Sequence, residues 1–175
     1  MALTVETGAG LSNADALISL AFADAYHTAK GNTTWTGTDA LKENAIRRAT
    51  DFLCNSYTWK GLRTRGRNQS LMWPRSGAYD QEGYGIPADQ IPVEIQNATA
   101  EIALRELVTP GAMNPDFVAS DLVKKETIGP MSVEYALASV SADAQRPVLL
   151  IVRDMIGQFL DGAAGNSIVG SSFRA

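Results

Sequence analysis

The stretch from Trp59 to Pro92, WKGLRTRGRNQSLMWPRSGAYDQEGYGIPADQIP, restricts the fold more than any other part of the chain. Helical patterning flanks it on both sides, and it has none of its own. Connections of this length are uncommon inside a compact domain and are usually either functional or disordered. Disorder fits poorly, because two Trp, two Tyr, Leu62, Leu71 and Met72 give the stretch apolar anchors. Its first half is also electrically distinct. Between Phe52 and Tyr79 there is no Asp or Glu, yet Lys60, Arg63, Arg65, Arg67 and Arg75 all fall there. These five cations belong to a chain of formal net charge −4, so the remainder sums to −9. The pattern is that of packed helices displaying a basic, aromatic-pinned loop, and such a loop is placed to meet another molecule.

The bulk numbers bound the rest. A chain of 175 residues suggests one domain able to bury a substantial core. A pI near 5 argues against a general nucleic-acid binder, although a local patch can override the net charge. Cys54 is the one cysteine, which forbids an internal disulfide and fits a reducing compartment. No apolar run approaches the roughly 18–20 residues of a membrane span. Met1 to Glu6 lacks the basic start of a secretory signal.

In chain order, Leu3 and Val5 suggest a short strand or extended arm. Ser19 is an N-cap for a helix through Lys30, closed by Gly31, with Ala21, Phe22, Ala25, Tyr26 and Ala29 as its apolar stripe. Trp35 reads as a lid over the helix packing. A second helix starts at Thr38 or Asp39, with Leu41, Ala45, Ala49, Phe52, Leu53 and Tyr57 at helical spacing. A third starts at Pro92 and ends at Thr109-Pro110-Gly111. Its polar stripe of Glu94, Asn97, Glu101 and Arg105 is narrow, which marks it as the central core helix. Around Gly129-Pro130 the segment 122–137 reads as a β-hairpin. Pro147 opens a last helix through Leu160, with Val148, Ile151, Val152, Met155, Ile156 and Phe159 as its apolar side.

Catalytic constellations are lacking. His27, one turn after Asp24, reads as a surface histidine, and Cys54 as a small hydrophobe at a packing surface. One Cys and one His cannot make a four-ligand structural zinc site. Gly83-Tyr84-Gly85 lacks the Lys-Ser/Thr of a phosphate-binding loop. Glu101 and Glu106 read as helix-surface charges, Glu101 facing Arg105 at i,i+4. Two features have asymmetry. The basic loop either contacts phosphate or an acidic protein, or its tryptophans pin it to its own core while its arginines are solvated. The tail after Gly165 keeps Ile168, Val169 and Phe173, which either fold back or form an arm that adds to a neighbour.

Several short motifs, in order, carry a family resemblance. They are Ala23-Asp24-Ala25-Tyr26-His27 with Gly31-Asn32 and Trp35, Ala49-Thr50-Asp51-Phe52-Leu53, Trp59-Lys60-Gly61, and Leu71-Met72-Trp73-Pro74-Arg75. They continue with Ile86-Pro87, Ile91-Pro92, Ala98-Thr99-Ala100-Glu101-Ile102-Ala103 and Ile128-Gly129-Pro130. From about Leu3 to Leu160 the chain resembles the tailed-phage family labelled putative DnaT-like single-stranded-DNA-binding proteins, which are similar to head–tail connector adaptors. The resemblance implies a helical core and a dodecameric ring beneath the portal that extends the DNA channel and offers a platform to the next connector or tail protein. The family label implies DNA binding.

The expectation is therefore a mainly α chain of about four helices packed as a small bundle, with a long inter-helix loop, one β-hairpin and an extended C-terminal arm. One helical adaptor domain spans 1–163, with the loop at 58–91 and the hairpin at 122–137, and the arm spans 164–175. The expected role is that of a structural virion protein at the head–tail interface, made in the host cytoplasm, without enzymatic activity, metal or cofactor. Its partners would be the portal protein, neighbouring copies of itself, a downstream head-closure or tail protein, and passing double-stranded DNA read without sequence specificity; no membrane is involved. The residues expected at the interface are Trp59, Lys60, Arg63, Arg65, Arg67 and Arg75 in the loop, and Ile168, Val169, Phe173 and Arg174 in the arm. The alternative is a single-stranded-DNA-binding protein using the same loop. Deleting residues 166–175 is expected to leave a folded monomer that no longer adds to portal-bearing heads in an in vitro assembly assay. Full assembly by the truncated chain would refute the arm.

Overall fold

A computed structural model describes residues 2–115, 125–128, 131–134 and 147–162. Among the described residues there are four α-helices: α1 Leu20–Lys30, α2 Asp39–Ser56, α3 Val93–Val108 and α4 Leu150–Ile156. Two short antiparallel pairs accompany them. Strand β1 Leu62–Arg63 pairs with β2 Arg75–Ser76, and β3 Lys125–Ile128 pairs with β4 Met131–Glu134 with Ile128 opposite Met131. The mainly α bundle with a hairpin at Gly129-Pro130 is thus present. The expected arm 164–175 and the outer parts of the hairpin, 122–124 and 135–137, lie outside the described residues.

The helix ends form where side chains can satisfy orphan N–H groups. Ser19 Oγ accepts the Phe22 N–H at 3.1 Å, and Thr38 Oγ1 accepts the Leu41 N–H at 3.4 Å. Gly31 takes the left-handed conformation, φ 68°, that closes α1. The core sits where α2 meets α3. Ala45, Ile46, Ala49 and Leu53 of α2 and Ile95, Ala98, Ile102 and Ala103 of α3 are fully buried, the alanines letting the two backbones approach closely. Against this pair lie the segment Ala14–Ile18, whose Leu17 N–H donates to Thr50 Oγ1 at 3.2 Å, and α4 through Val152 and Ile156.

Four expectations change. The buried face of α1 is Ala23 and His27, and Ala21, Ala25 and Ala29 face solvent. His27 is no surface residue. Its Nε2 donates to the Ala100 carbonyl of α3 at 3.2 Å, and its Nδ1 accepts from the Asn32 amide at 3.0 Å. Trp35 does close over the packing: its ring centre lies 4.4 Å from that of His27, and its N–H donates to Asp24 at 2.7 Å. Second, Glu101 and Glu106 are buried. Glu101 accepts from Tyr26 Oη at 2.9 Å and Arg105 at 3.0 Å; Glu106 accepts from Arg48 at 2.8 Å and from the N–H groups of Gly111 and Met113 at 2.8 and 3.0 Å. Helix α3 is covered by α1, α2 and the turn after it, so these two acids are internal and paired. Third, Leu41 is exposed, one turn too early to reach α3. Fourth, α4 starts at Leu150 rather than Pro147 and continues as a tight 3-10 turn over Gly157–Phe159, and Val148, Leu150 and Ile151 face outward.

The two bonds of His27 fix its neutral form. A proton on Nδ1 would confront the Asn32 N–H group, and burial is the main cause that lowers its pKa below the ordinary 6.5, outweighing the Ala100 bond that raises it. The unfolded chain then binds the proton first, so stability present above about pH 6.5 is lost as pH falls below that value. His27→Gln should lower stability at pH 7.5 by roughly 1–2 kcal/mol. That gap should narrow towards pH 5, read by urea denaturation; a gap independent of pH would remove the histidine as its cause.

Candidate functional site

The long loop leaves α2 at Tyr57 and is stitched at once to the end of α4. The Lys60 N–H donates to the Phe159 carbonyl and the Asp161 N–H to the Thr58 carbonyl, both at 2.9 Å. Trp59 and Trp73 are buried there. Their ring centres lie 5.8 Å apart at an interplanar angle of 83°, and Trp73 meets Phe159 edge-on at 5.5 Å. Among the described residues both indole N–H groups lack a hydrogen-bond acceptor, and a donor left unsatisfied costs about 1–3 kcal/mol against the packing area that its ring contributes. Of the sequence alternatives for the tryptophans, the pinning one describes their position: Trp59 lies inside the loop, away from its outer face.

Arg75 is inside as well, 8% exposed. Its guanidinium donates to four backbone carbonyls: Lys60 at 2.7 Å, Gly61 at 2.6 Å, Met72 at 3.1 Å and Trp59 at 3.2 Å. The planar fork of donors is what lets one side chain close the loop entry onto the loop exit. Gly61 carries φ +70° and touches the Ser76 carbonyl so closely that a Cβ has no room, which holds the β1–β2 pair tight. A second knot is Gln69, fully buried. Its amide donates to the Leu71 and Pro74 carbonyls at 3.0 Å each, and its oxygen accepts the Arg65 N–H at 3.3 Å.

The loop rests on the N-terminal segment. Glu6 is buried with its carboxylate accepting the N–H groups of Gly8, Gly10 and Leu11 at 2.8–2.9 Å. Ser70 donates to the Leu11 and Ala14 carbonyls, and Arg65 to the Ala9 carbonyl at 3.3 Å. Glu6 and Gln69 were not legible as organisers, since a lone Glu and a lone Gln in a polar stretch carry no spacing signal.

The five cations share one property. Lys60 donates to the Gln158 carbonyl at 2.7 Å, Arg63 to the Gln69 carbonyl at 3.2 Å, and Arg65 and Arg75 as above. Arg67, on the exposed 3-10 turn Gly66–Asn68, has no hydrogen-bond or ion-pair partner among the described residues. Among the described residues none of the five meets a carboxylate. Among the described residues the ion pairs are Lys42–Asp24, Arg47–Asp15, Arg48–Glu106 and Arg105–Glu101, all in the helical body. Arg63 stands opposite Arg75 in the β1–β2 register, and Arg75 is held below its ordinary pKa by burial and then by the Arg63 charge. Arg65 and Arg67 are exposed, and Arg63 is half-buried. Ile168, Val169, Phe173 and Arg174 lie outside the described residues.

Cys54 is buried, and burial pushes its thiol up to about 11, so it is a protonated thiol at neutral pH. Among the described residues no group of three His, Cys, Asp or Glu is placed to hold a metal. No helix among them is long and apolar enough to cross a membrane.

The sequence model of one protein family, with the description Putative DnaT-like ssDNA binding protein, matches residues 1–175. Comparison with curated proteins and with solved structures finds no match. Replacing Arg75 by Met should orphan four carbonyls and destabilise the chain by about 3 kcal/mol or more. Arg75→Lys should recover little of it, because an ammonium cannot span the fork. Urea denaturation followed by tryptophan emission reads both; a Lys variant as stable as wild type would show that the carbonyls need no fork.

Proposed function

We infer the function from the family: the chain belongs to the DnaT-like single-stranded-DNA-binding proteins, and we propose that it binds single-stranded DNA through its phosphate backbone, without catalysing a reaction. The observation that carries this reading is the loop of five cations that meet no carboxylate among the described residues, on a frame fixed by Arg75, Gln69 and the two buried tryptophans. Arg63, Arg65 and Arg67 supply the contacts. Lys60 and Arg75 add positive field from behind. Lys60, Arg63, Arg65 and Arg75 are held by backbone carbonyls and Arg67 by no partner among the described residues, so a phosphate displaces none of the ion pairs described. Lysine and arginine contacts of this kind release counterions from the strand and read no sequence.

A second reading has its own support. Leu62 is 75% exposed beside the arginines, and Val148, Leu150 and Ile151 are exposed around α4. Exposed apolar groups suit a protein partner better than a phosphate. On this reading the chain is a structural head–tail connector adaptor of a tailed-phage virion, forming a ring of copies beneath the portal. The loop and the C-terminal arm then touch the portal or a neighbouring copy, and the next connector or tail protein docks below.

Salt separates the two. Three phosphate contacts on a single strand should give a log–log salt slope of about −2, measured by anisotropy with a labelled oligothymidylate. Changing Arg63, Arg65 and Arg67 to Glu should abolish binding while lowering stability by no more than roughly 1–2 kcal/mol. A salt-resistant complex with portal-bearing heads, together with no binding of the oligonucleotide, would select the connector reading instead.

A further inference from the structure

We propose that Tyr79 and Tyr84 form a base-stacking platform beside the basic loop, so that the strand's phosphates follow Arg63, Arg65 and Arg67 while its bases lie on these two rings. The inference rests on the single-stranded-DNA reading and assigns residues that the loop cations alone do not reach. By pattern the two tyrosines should be anchors of the long stretch. They are not: Tyr79 is 52% and Tyr84 69% exposed, whereas Trp59, Leu71 and Trp73 are buried.

The turn that carries both rings is held by backbone hydrogen bonds. Tyr79 bridges to Gly85 in antiparallel fashion, and the Ile86 N–H donates to the Ala78 carbonyl at 2.8 Å. The Tyr79 ring lies against Gly85, where a methyl group would stand 3.7 Å from it, so one side of the ring is backed by backbone while half of the residue faces solvent. Between them Asp80 closes the turn. Its Oδ1 accepts the N–H groups of Glu82 and Tyr84 at 3.0 and 2.8 Å, and its own N–H donates to the Tyr84 carbonyl at 3.0 Å. A ring on a fixed turn loses little freedom when a base covers it.

The turn also abuts the cations. Gly61, between Lys60 and β1, packs on the Gly77–Ala78 backbone; Thr64 donates to the Ala88 carbonyl at 2.7 Å; and Lys60 Nζ and the Gln81 N–H share Gln158, at 2.7 and 3.2 Å. Asp80 and Glu82 give the turn itself negative charge. They repel phosphate from it, which puts the backbone on the arginine side and leaves the bases for the rings. The partner is thus a strand with unpaired bases, since a duplex hides those faces.

The test is a cycle between protein and strand. Wild type should bind oligothymidylate roughly tenfold or more tighter than Tyr84→Ala or Tyr79→Ala, and Tyr84→Phe should match wild type. On an abasic strand of equal length, which keeps the phosphates and lacks the bases, wild type and both Ala variants should bind alike. Tyr84→Ala should melt with wild type, since its ring is largely in solvent, and it carries the test if Tyr79→Ala fails to fold. Equal affinity of wild type and Tyr84→Ala for oligothymidylate, with the steep salt dependence intact, would overturn the platform and leave the phosphate reading standing. Absence of any wild-type binding to either strand would overturn both.

Discussion

A guanidinium held only by carbonyl oxygens is the constraint on which the displayed face depends. Arg75 takes a full positive charge out of water with no carboxylate to meet it among the described residues, an arrangement that is tolerable because four polarised oxygens surround the fork. Three of those oxygens belong to consecutive residues, Trp59, Lys60 and Gly61, so their carbonyls must all turn inward at one point of the chain. That inward turn is what brings β1 beside β2 and sets Gly61 against Ser76. The buried tryptophans follow from the same geometry. Trp59 supplies one of the four carbonyls, and its ring packs edge-on against Trp73 in the core.

The consequence is a segregation of charge that composition alone conceals. The body's buried acids are all occupied: Glu6 by three backbone N–H groups, Glu106 by Arg48 and two more, and Glu101 by Arg105 and a tyrosine. None is left to neutralise the loop. An acidic protein can therefore present an electropositive patch, because these buried acids serve as internal caps and helix ties while Arg63, Arg65 and Arg75 are tied to neutral oxygens. A net charge of −4 says little about which ligand such a surface attracts.

How much of this the sequence discloses depends on where each residue's partner lies. Ser19, Thr38 and Gly31 are legible because a cap bonds within a few residues of itself. The hairpin at Gly129-Pro130 is legible for the same reason. His27, Glu101 and Glu106 are misread because hydrophobicity stands in for burial in any periodicity argument, and their partners Ala100, Tyr26 and Arg48 are distant in the chain. The stripe of α1 is displaced for that reason: a buried histidine scores as polar and rotates the inferred face. Tyr79 and Tyr84 err in the opposite direction. Aromatic residues in a long loop suggest anchors, and only packing reveals that the two tryptophans and Leu71 are the buried ones.

The same bonds decide how many cations a ligand can engage. Each guanidinium has five donors. Arg75 makes four bonds and is enclosed, so it acts through its field alone. Arg63 and Arg65 each have one side-chain bond to a carbonyl and keep the rest of the fork, and Arg67 keeps all of it. Lys60 is tied to Gln158 through its single nitrogen but retains further protons. A polyanion can thus settle on the outer three arginines without breaking a bond inside the loop. Because the frame beneath is already fixed, the ordering cost of the complex falls on the flexible strand, not on the protein. That division favours a short, sequence-blind contact whose strength comes from charge, with stacking left to rings that stand clear of the arginines.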